Sequence, residues 1–105
     1  MAKIPYRISL ILKEYLNVLL HNSIPIETMI LFGSYAKGSF HEWSDIDVAI
    51  VSSIFEGERI KDKNKIRRLT LSVSSDLEIF PYNPNDFDNE DPLVHEILST
   101  GVKVF

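Results

Sequence analysis

Two short stretches carry residue types that could handle a phosphate chain and a hard cation together: Gly33-Ser34 and, with ten residues between, Asp45-Ile46-Asp47. In an extended strand, residues two apart point to the same face with Cα atoms about 6.6 Å apart. Asp45 and Asp47 can therefore converge on a cation from one side of a sheet. Mg²⁺ takes oxygen ligands at about 2.0–2.1 Å and keeps room for substrate phosphate. Two such ions, about 3.5–4 Å apart, can stabilise both the attacking and the leaving oxygen of an in-line displacement at phosphorus. The Gly-Ser pair fits the anionic half of such a site. A glycine at a strand-to-helix turn lets backbone approach an anion closely, the helix start offers unused N–H groups, and the Ser34 hydroxyl can donate one more bond. A further carboxylate from a neighbouring strand would complete the cation site, and Asp76 and Glu78 alternate with Leu77 and Ile79 in a suitable place.

These residues need a scaffold, and the apolar pattern supplies one. Ile4, Ile8, Ile11, Leu12, Tyr15 and Leu19 recur at helical spacing, which predicts an amphipathic helix over residues 4 to about 22, ahead of Pro25. Residues 27–32 (ETMILF) have the length of a buried strand that Gly33-Ser34 breaks, and residues 35–37 can form one helical turn before Gly38. Residues 39–43 read as a loop, and residues 46–51 (IDVAIV) as a second strand rich in β-branched side chains. Past Gly57 a charged segment runs to about residue 75, with Ile66, Leu69 and Val73 on one helical face. Residues 77–80 form a third short strand that Pro81 should stop. Asp91 is the expected N-cap of a last helix with Pro92 at its first position, Gly101 suits its C′ position, and residues 102–105 can add a final strand. Strands alternating with helices imply an α/β (α+β) domain, a small mixed β-sheet flanked by helices.

Length and charge narrow the partners. The 105 residues fit one domain spanning residues 1–105. The first uncharged apolar run is too short for a signal peptide, and no uncharged stretch approaches the roughly 20 residues needed to cross a bilayer, so no membrane partner is expected. Absence of cysteine excludes disulfides and thiolate metal sites and suits a cytoplasmic setting. The formal net charge of −4 argues against nucleic acid as a direct partner, because proteins that grip phosphate backbones usually present a basic surface. A nucleotide is still acceptable, since a metal ion can carry the countercharge.

Gly33-Ser34, ten residues, then Asp45-Ile46-Asp47 resembles the signature of the DNA polymerase β-type nucleotidyltransferase superfamily, and Leu31-Phe32, Gly38 and Ser44 match its usual surroundings. The short chain is similar to the minimal nucleotidyltransferases, and the resemblance extends over nearly its whole length. It implies the polymerase β-like nucleotidyltransferase fold. It also implies transfer of a nucleoside monophosphate, AMP from ATP or another nucleoside triphosphate (NTP), to a hydroxyl acceptor with two Mg²⁺ ions. Asp45 and Asp47 would hold the metals, Gly33 and Ser34 the triphosphate. The family's third acid precedes a Tyr-Thr-Pro-like turn. Tyr82-Asn83-Pro84, followed by Asn85-Asp86-Phe87, looks like that turn, and counting back favours Glu78 as the third catalytic and metal-holding acid, with Asp76 as the fallback. The resemblance further implies a small helical HEPN-domain partner protein, often a toxin ribonuclease, neutralised by AMP attached to a tyrosine. A different class of function, an antitoxin that blocks its partner by contact without catalysis, has no need of the Gly-Ser and Asp-x-Asp pattern.

Other residues have plainer readings. The basic cluster Lys61, Lys63, Lys65, Arg67 and Arg68 reads as a solvated helix face with Asp62 interleaved, contact with phosphates or a partner being the second reading. Trp43 reads as a packing residue, with stacking on a base as the second reading for it and for His41. Lys37 could approach a triphosphate, whereas His21 and His95 have no partners that suggest a metal site.

Overall fold

The computed structural model describes residues 4–105 and divides them into four helices and four strands. Helix α1 (Tyr6–His21) buries Ile8, Leu12, Tyr15 and Leu19, the predicted stripe at helical spacing. It begins two residues later than Ile4, because Pro5 stands at its N-cap with extended backbone. The sheet comprises β1 (Thr28–Phe32), β2 (Ile46–Val51), β3 (Leu77–Tyr82) and β4 (Val102–Lys103), in the order β3-β2-β1-β4. A four-residue helix α2 (Ser34–Lys37) follows β1, α3 (Arg59–Val73) links β2 to its parallel neighbour β3, and α4 (Pro92–Thr100) precedes β4. Strand β1 is antiparallel to both β2 and β4, so the sheet is mixed, as expected. Among the described residues no helix is long and apolar enough to cross a membrane.

Alternation along the strands separates two faces. Met29, Leu31, Ile46, Val48, Ile50, Leu77 and Ile79 pack with the buried stripes of α1 and α3 in one core. Ile30, Phe32 and Ala49 pack on the other face with Ile97 of α4, flanked by Phe80, Tyr82, Phe87 and Leu93. Central strands covered on both sides read as unbroken apolar runs, which is why their ends were legible in sequence. Between the helices, Thr70 Oγ1 donates to Ile66 O at 3.0 Å, so the Tyr15 hydroxyl must be the donor in its 2.7 Å bond to Thr70. Burial pushes the Tyr15 phenol up to about 12.

Three further features differ from the plain sequence reading, each for a physical reason. Strand β3 does not stop at Pro81 but runs through it to Tyr82. It is an edge strand, and since Tyr82 O accepts from Ser52 N at 3.0 Å, the neighbouring Pro81 turns its missing N–H outward. Gly101 follows α4 directly, as expected, but its backbone is extended, with φ −76° and ψ 165°. Glycine is needed there for space: a Cβ would collide with Ile30 and with the carbonyl oxygens of Ile97 and Leu31. Asp62, read as one charge on a solvated face, is fully buried. Its carboxylate accepts the N–H groups of Glu56, Gly57 and Glu58 at 2.9, 3.0 and 3.1 Å and meets Lys65 Nζ at 3.4 Å, pinning the loop that enters α3.

That arrangement has a measurable consequence. Burial pushes the Asp62 carboxyl up, but the N–H donors of Glu56 and Gly57, together with Lys65, outweigh it and hold the group below its ordinary value. Its contribution to stability is therefore present above the ordinary aspartate range and is lost as pH falls through the lowered value. Asp62→Ala leaves three loop donors without their acceptor and is expected to cost about 2–4 kcal/mol. Denaturant unfolding of the variant at neutral pH and at about pH 3 checks both points: the difference from the parent should shrink in acid.

Candidate active site

The sheet register sets three side chains in a row across the α4 face. Phe32 at the end of β1 lies opposite Asp47 near the start of β2, and Asp47 lies opposite Glu78 near the start of β3. The next row along is Ile30, Ala49 and Phe80, which makes that face apolar immediately beside the two acids. Phe32 and Phe80 meet edge to face at 4.9 Å. Asp45 precedes β2 rather than belonging to it, and it is exposed where Asp47 is half-buried. Burial first, then the charges of Asp45 and Glu78, push the Asp47 carboxyl above its ordinary value. Asp76, the fallback acid, lies in the turn before β3, where its N–H donates to Ser74 Oγ at 3.1 Å and its carbonyl accepts from Ile46 N at 2.9 Å. It is not among the charges that act on Asp47.

Gly33 brings the turn that opens α2 against this row. Its φ of 76° and ψ of −151° lie in a region essentially reserved for glycine. A Cβ at this position would run into the Asp47 carboxylate. The turn of α2 closes with Lys37 N donating to Gly33 O at 3.0 Å, so the N–H groups of residues 34–36 precede its first internal bond. Tyr35 and Ala36 are buried and anchor the turn; Arg7 Nη2 donates to the Tyr35 hydroxyl at 2.9 Å. Lys37, a candidate for the triphosphate, instead pairs with Glu96 of α4 at 3.1 Å.

The acids do not close a cage of their own. Among the described residues no three His, Cys, Asp or Glu side chains stand together closely enough to hold an ion. Glu78 is engaged elsewhere: Lys63 Nζ donates to its Oε1 at 3.1 Å. The donor set nevertheless fits a hard divalent cation, being all carboxylate oxygen, with Asp47 pushed up by burial and then by the charges of Asp45 and Glu78.

Sequence reasoning missed several features. The lysines at 61, 63 and 65 are not simply solvated: Lys61 and Lys65 meet Glu56 at 3.6 and 2.7 Å, and Lys63 reaches the sheet. Trp43 is not a packing residue, being 81% exposed. Its backbone N–H donates to His41 Nδ1 at 3.2 Å, and the backbone N–H of His41 donates to Ser44 Oγ at 2.8 Å, so local bonds hold that loop. Arg59 lies 4.2 Å over the Phe80 ring beside a hollow of about 490 Å³ lined by Tyr82, Asp86 and Asp91. No sequence signal marked it, because the contact depends on α3 wrapping the β3 edge.

The raised Asp47 carboxyl yields a prediction for the metal-free protein. A carboxylate whose folded value lies above its unfolded one favours folding in acid, and that contribution is lost as pH rises through the folded value. Asp47→Asn should therefore raise the melting temperature at neutral pH without divalent ions and have little effect near pH 4. A fall at neutral pH would show that Asp47 is a structural acceptor instead.

Known proteins resemble the chain in sequence and in shape. The profile of a family described as nucleotidyltransferase domain matches residues 12–99. A candidate protein adenylyltransferase of Methanocaldococcus jannaschii is 40% identical over 58 residues, a stretch that takes in 53% of this chain and 57% of that protein. The chain thus matches little more than half the length of this curated relative. Among solved structures, a toxin–antitoxin complex with AMP-PNP superposes with a TM-score of 0.63 at 19% identity, covering 90% of this chain and 72% of that one. A candidate nucleotidyltransferase from Sulfolobus solfataricus does so with a TM-score of 0.63 at 21% identity, covering 92% and 78%. At these identities the likeness establishes a shared fold.

Proposed function

Because this chain belongs to the nucleotidyltransferase domain family, a family of transferases, we propose that it transfers AMP from ATP to a hydroxyl on a partner protein in a Mg²⁺-dependent reaction. The observation that carries the reading is the contact between Gly33 and Asp47. The turn suited to a triphosphate is packed so closely on the acidic row that only glycine fits between them. A triphosphate seated at Gly33-Ser34 would have its phosphorus atoms beside the carboxylates.

Asp45, Asp47 and Glu78 would hold the metal. Bound there, Mg²⁺ would neutralise charge between the acids and the triphosphate and polarise the phosphoryl oxygens. The backbone around Gly33 and the Ser34 hydroxyl hold and orient the triphosphate. Glu78 helps take the proton from the acceptor hydroxyl, whose oxygen forms a bond to the α-phosphorus as the bond to the bridging oxygen breaks and pyrophosphate leaves. Little covalent chemistry falls to the protein, so positioning and charge dominate the rate.

The partner reading draws on two similarities: the curated relative is described as a candidate protein adenylyltransferase, and one structural neighbour is a toxin–antitoxin complex. A small helical HEPN-type protein is the expected acceptor, with a tyrosine hydroxyl as the expected site. ATP and Mg²⁺ mixed with this chain and such a protein encoded beside it should add one adenylyl group to the partner, visible by intact mass and mapped by peptide sequencing. Neutralisation of the partner with no covalent change would favour the contact antitoxin.

A further inference from the structure

Three lysines alternate along the first turns of α3, and their partners divide them. Lys61 and Lys65 pair with Glu56 and Asp62, acids of the loop and the helix itself. Lys63 alone crosses to the sheet, where its ammonium lies 3.1 Å from Glu78 Oε1. Glu78 therefore has a like charge opposite it on β2 and an opposite charge arriving from α3. Both side chains of the pair are partly exposed, at 35% and 41%, so their attraction is modest and readily exchanged. Lys63 and Arg67, one helical turn apart, line a hollow of about 190 Å³ together with Glu78, which leaves room for the ammonium to move aside.

We propose that Lys63 is a positioning residue, a resident countercharge that holds Glu78 in the metal-free protein and gives it up when a divalent cation binds the acidic row. The inference rests on the reading of that row as a cation site. It accounts for two facts together: the acids do not stand closed around an ion, and one of them is paired outside the row. Cation binding then exchanges one countercharge of Glu78 for another. The freed ammonium remains near the row, on the side of β3 away from Asp47.

Two measurements with Mg²⁺ alone test this. Calorimetric titration should show Lys63→Gln binding Mg²⁺ more tightly than the parent, by up to about five-fold, the value of an exposed ion pair. Lys61→Gln, which makes the same change of net charge away from the row, should shift affinity less, and Lys63→Arg should return it towards the parent. Acetylation of lysines by an activated ester, followed by peptide mass spectrometry, should show Lys63 reacting faster once Mg²⁺ is added. Lys61 and Lys65 should be unchanged, and in Glu78→Gln Lys63 should react fast with or without the ion. Mg²⁺ binding with no change in Lys63 reactivity, or with Lys61→Gln matching Lys63→Gln, overturns this inference alone. No Mg²⁺ binding to the parent overturns it together with the cation-site reading.

Discussion

With Asp45 and Asp47 both changed to Asn, the protein is expected to remain folded and to lose AMP transfer by on the order of 10²-fold or more. Asparagine is nearly isosteric with aspartate, so the packing of β2 and any partner surface should survive. The change removes the exposed charge of Asp45 and the half-buried charge of Asp47, the carboxylate on which both Asp45 and Glu78 act. Divalent-cation affinity should fall with them. Circular dichroism checks the fold, co-purification checks partner binding, and the rate of adenylyl incorporation checks catalysis. A variant that binds and neutralises its partner as well as the parent does would defeat the enzymatic reading. The metal-free variant should also melt higher than the parent at neutral pH, since Asp47 no longer holds a charge where burial and its neighbours disfavour it.

Gly33→Ala should have an effect of similar size from the other side of the site. The added methyl group meets two obstacles, the Asp47 carboxylate and a backbone φ of 76° that side chains rarely adopt. Strain of this kind is on the order of 1–3 kcal/mol, so the variant should fold with a reduced melting temperature. Either the turn or Asp47 must shift, and misplacing a reacting group by about 1 Å can cost on the order of 10² in rate. A kcat/KM within a few-fold of the parent would show that the turn and the acidic row work independently.

Much of the scaffold was legible because its signals are local. Ile8, Leu12, Tyr15 and Leu19 announce their helix by spacing alone, residues 46–51 announce a strand by β-branching, and Asp91-Pro92 marks a helix start that Asp91 Oδ1 caps through Leu93 N and Val94 N. The proximity of Gly33-Ser34 and Asp47 was also readable, since a strand, a turn and the next strand bring them together. What the sequence concealed depends on which strand lies at an edge and which helix wraps around it. Pro81 reads as a stop until β3 proves to be the edge. Lys63 reads as one of five basic residues until α3 carries it across to Glu78, fifteen positions away in sequence. Asp62 looks solvated among its lysines, and only the loop folding back onto it makes it a buried acceptor. The exposure of Trp43 had no local signature, because a tryptophan is equally at home in a core.

The most direct test of the central claim places the radioactive atom. ATP labelled at the α-phosphorus and ATP labelled at the γ-phosphorus are each incubated with the protein, Mg²⁺ and its partner, and the protein fraction is counted. The account predicts that label from the α-position becomes covalently bound to protein, that label from the γ-position appears only in pyrophosphate, and that EDTA abolishes both. Protein-bound label from the γ-position, or no transfer from either position to a partner that is nonetheless neutralised, would contradict it.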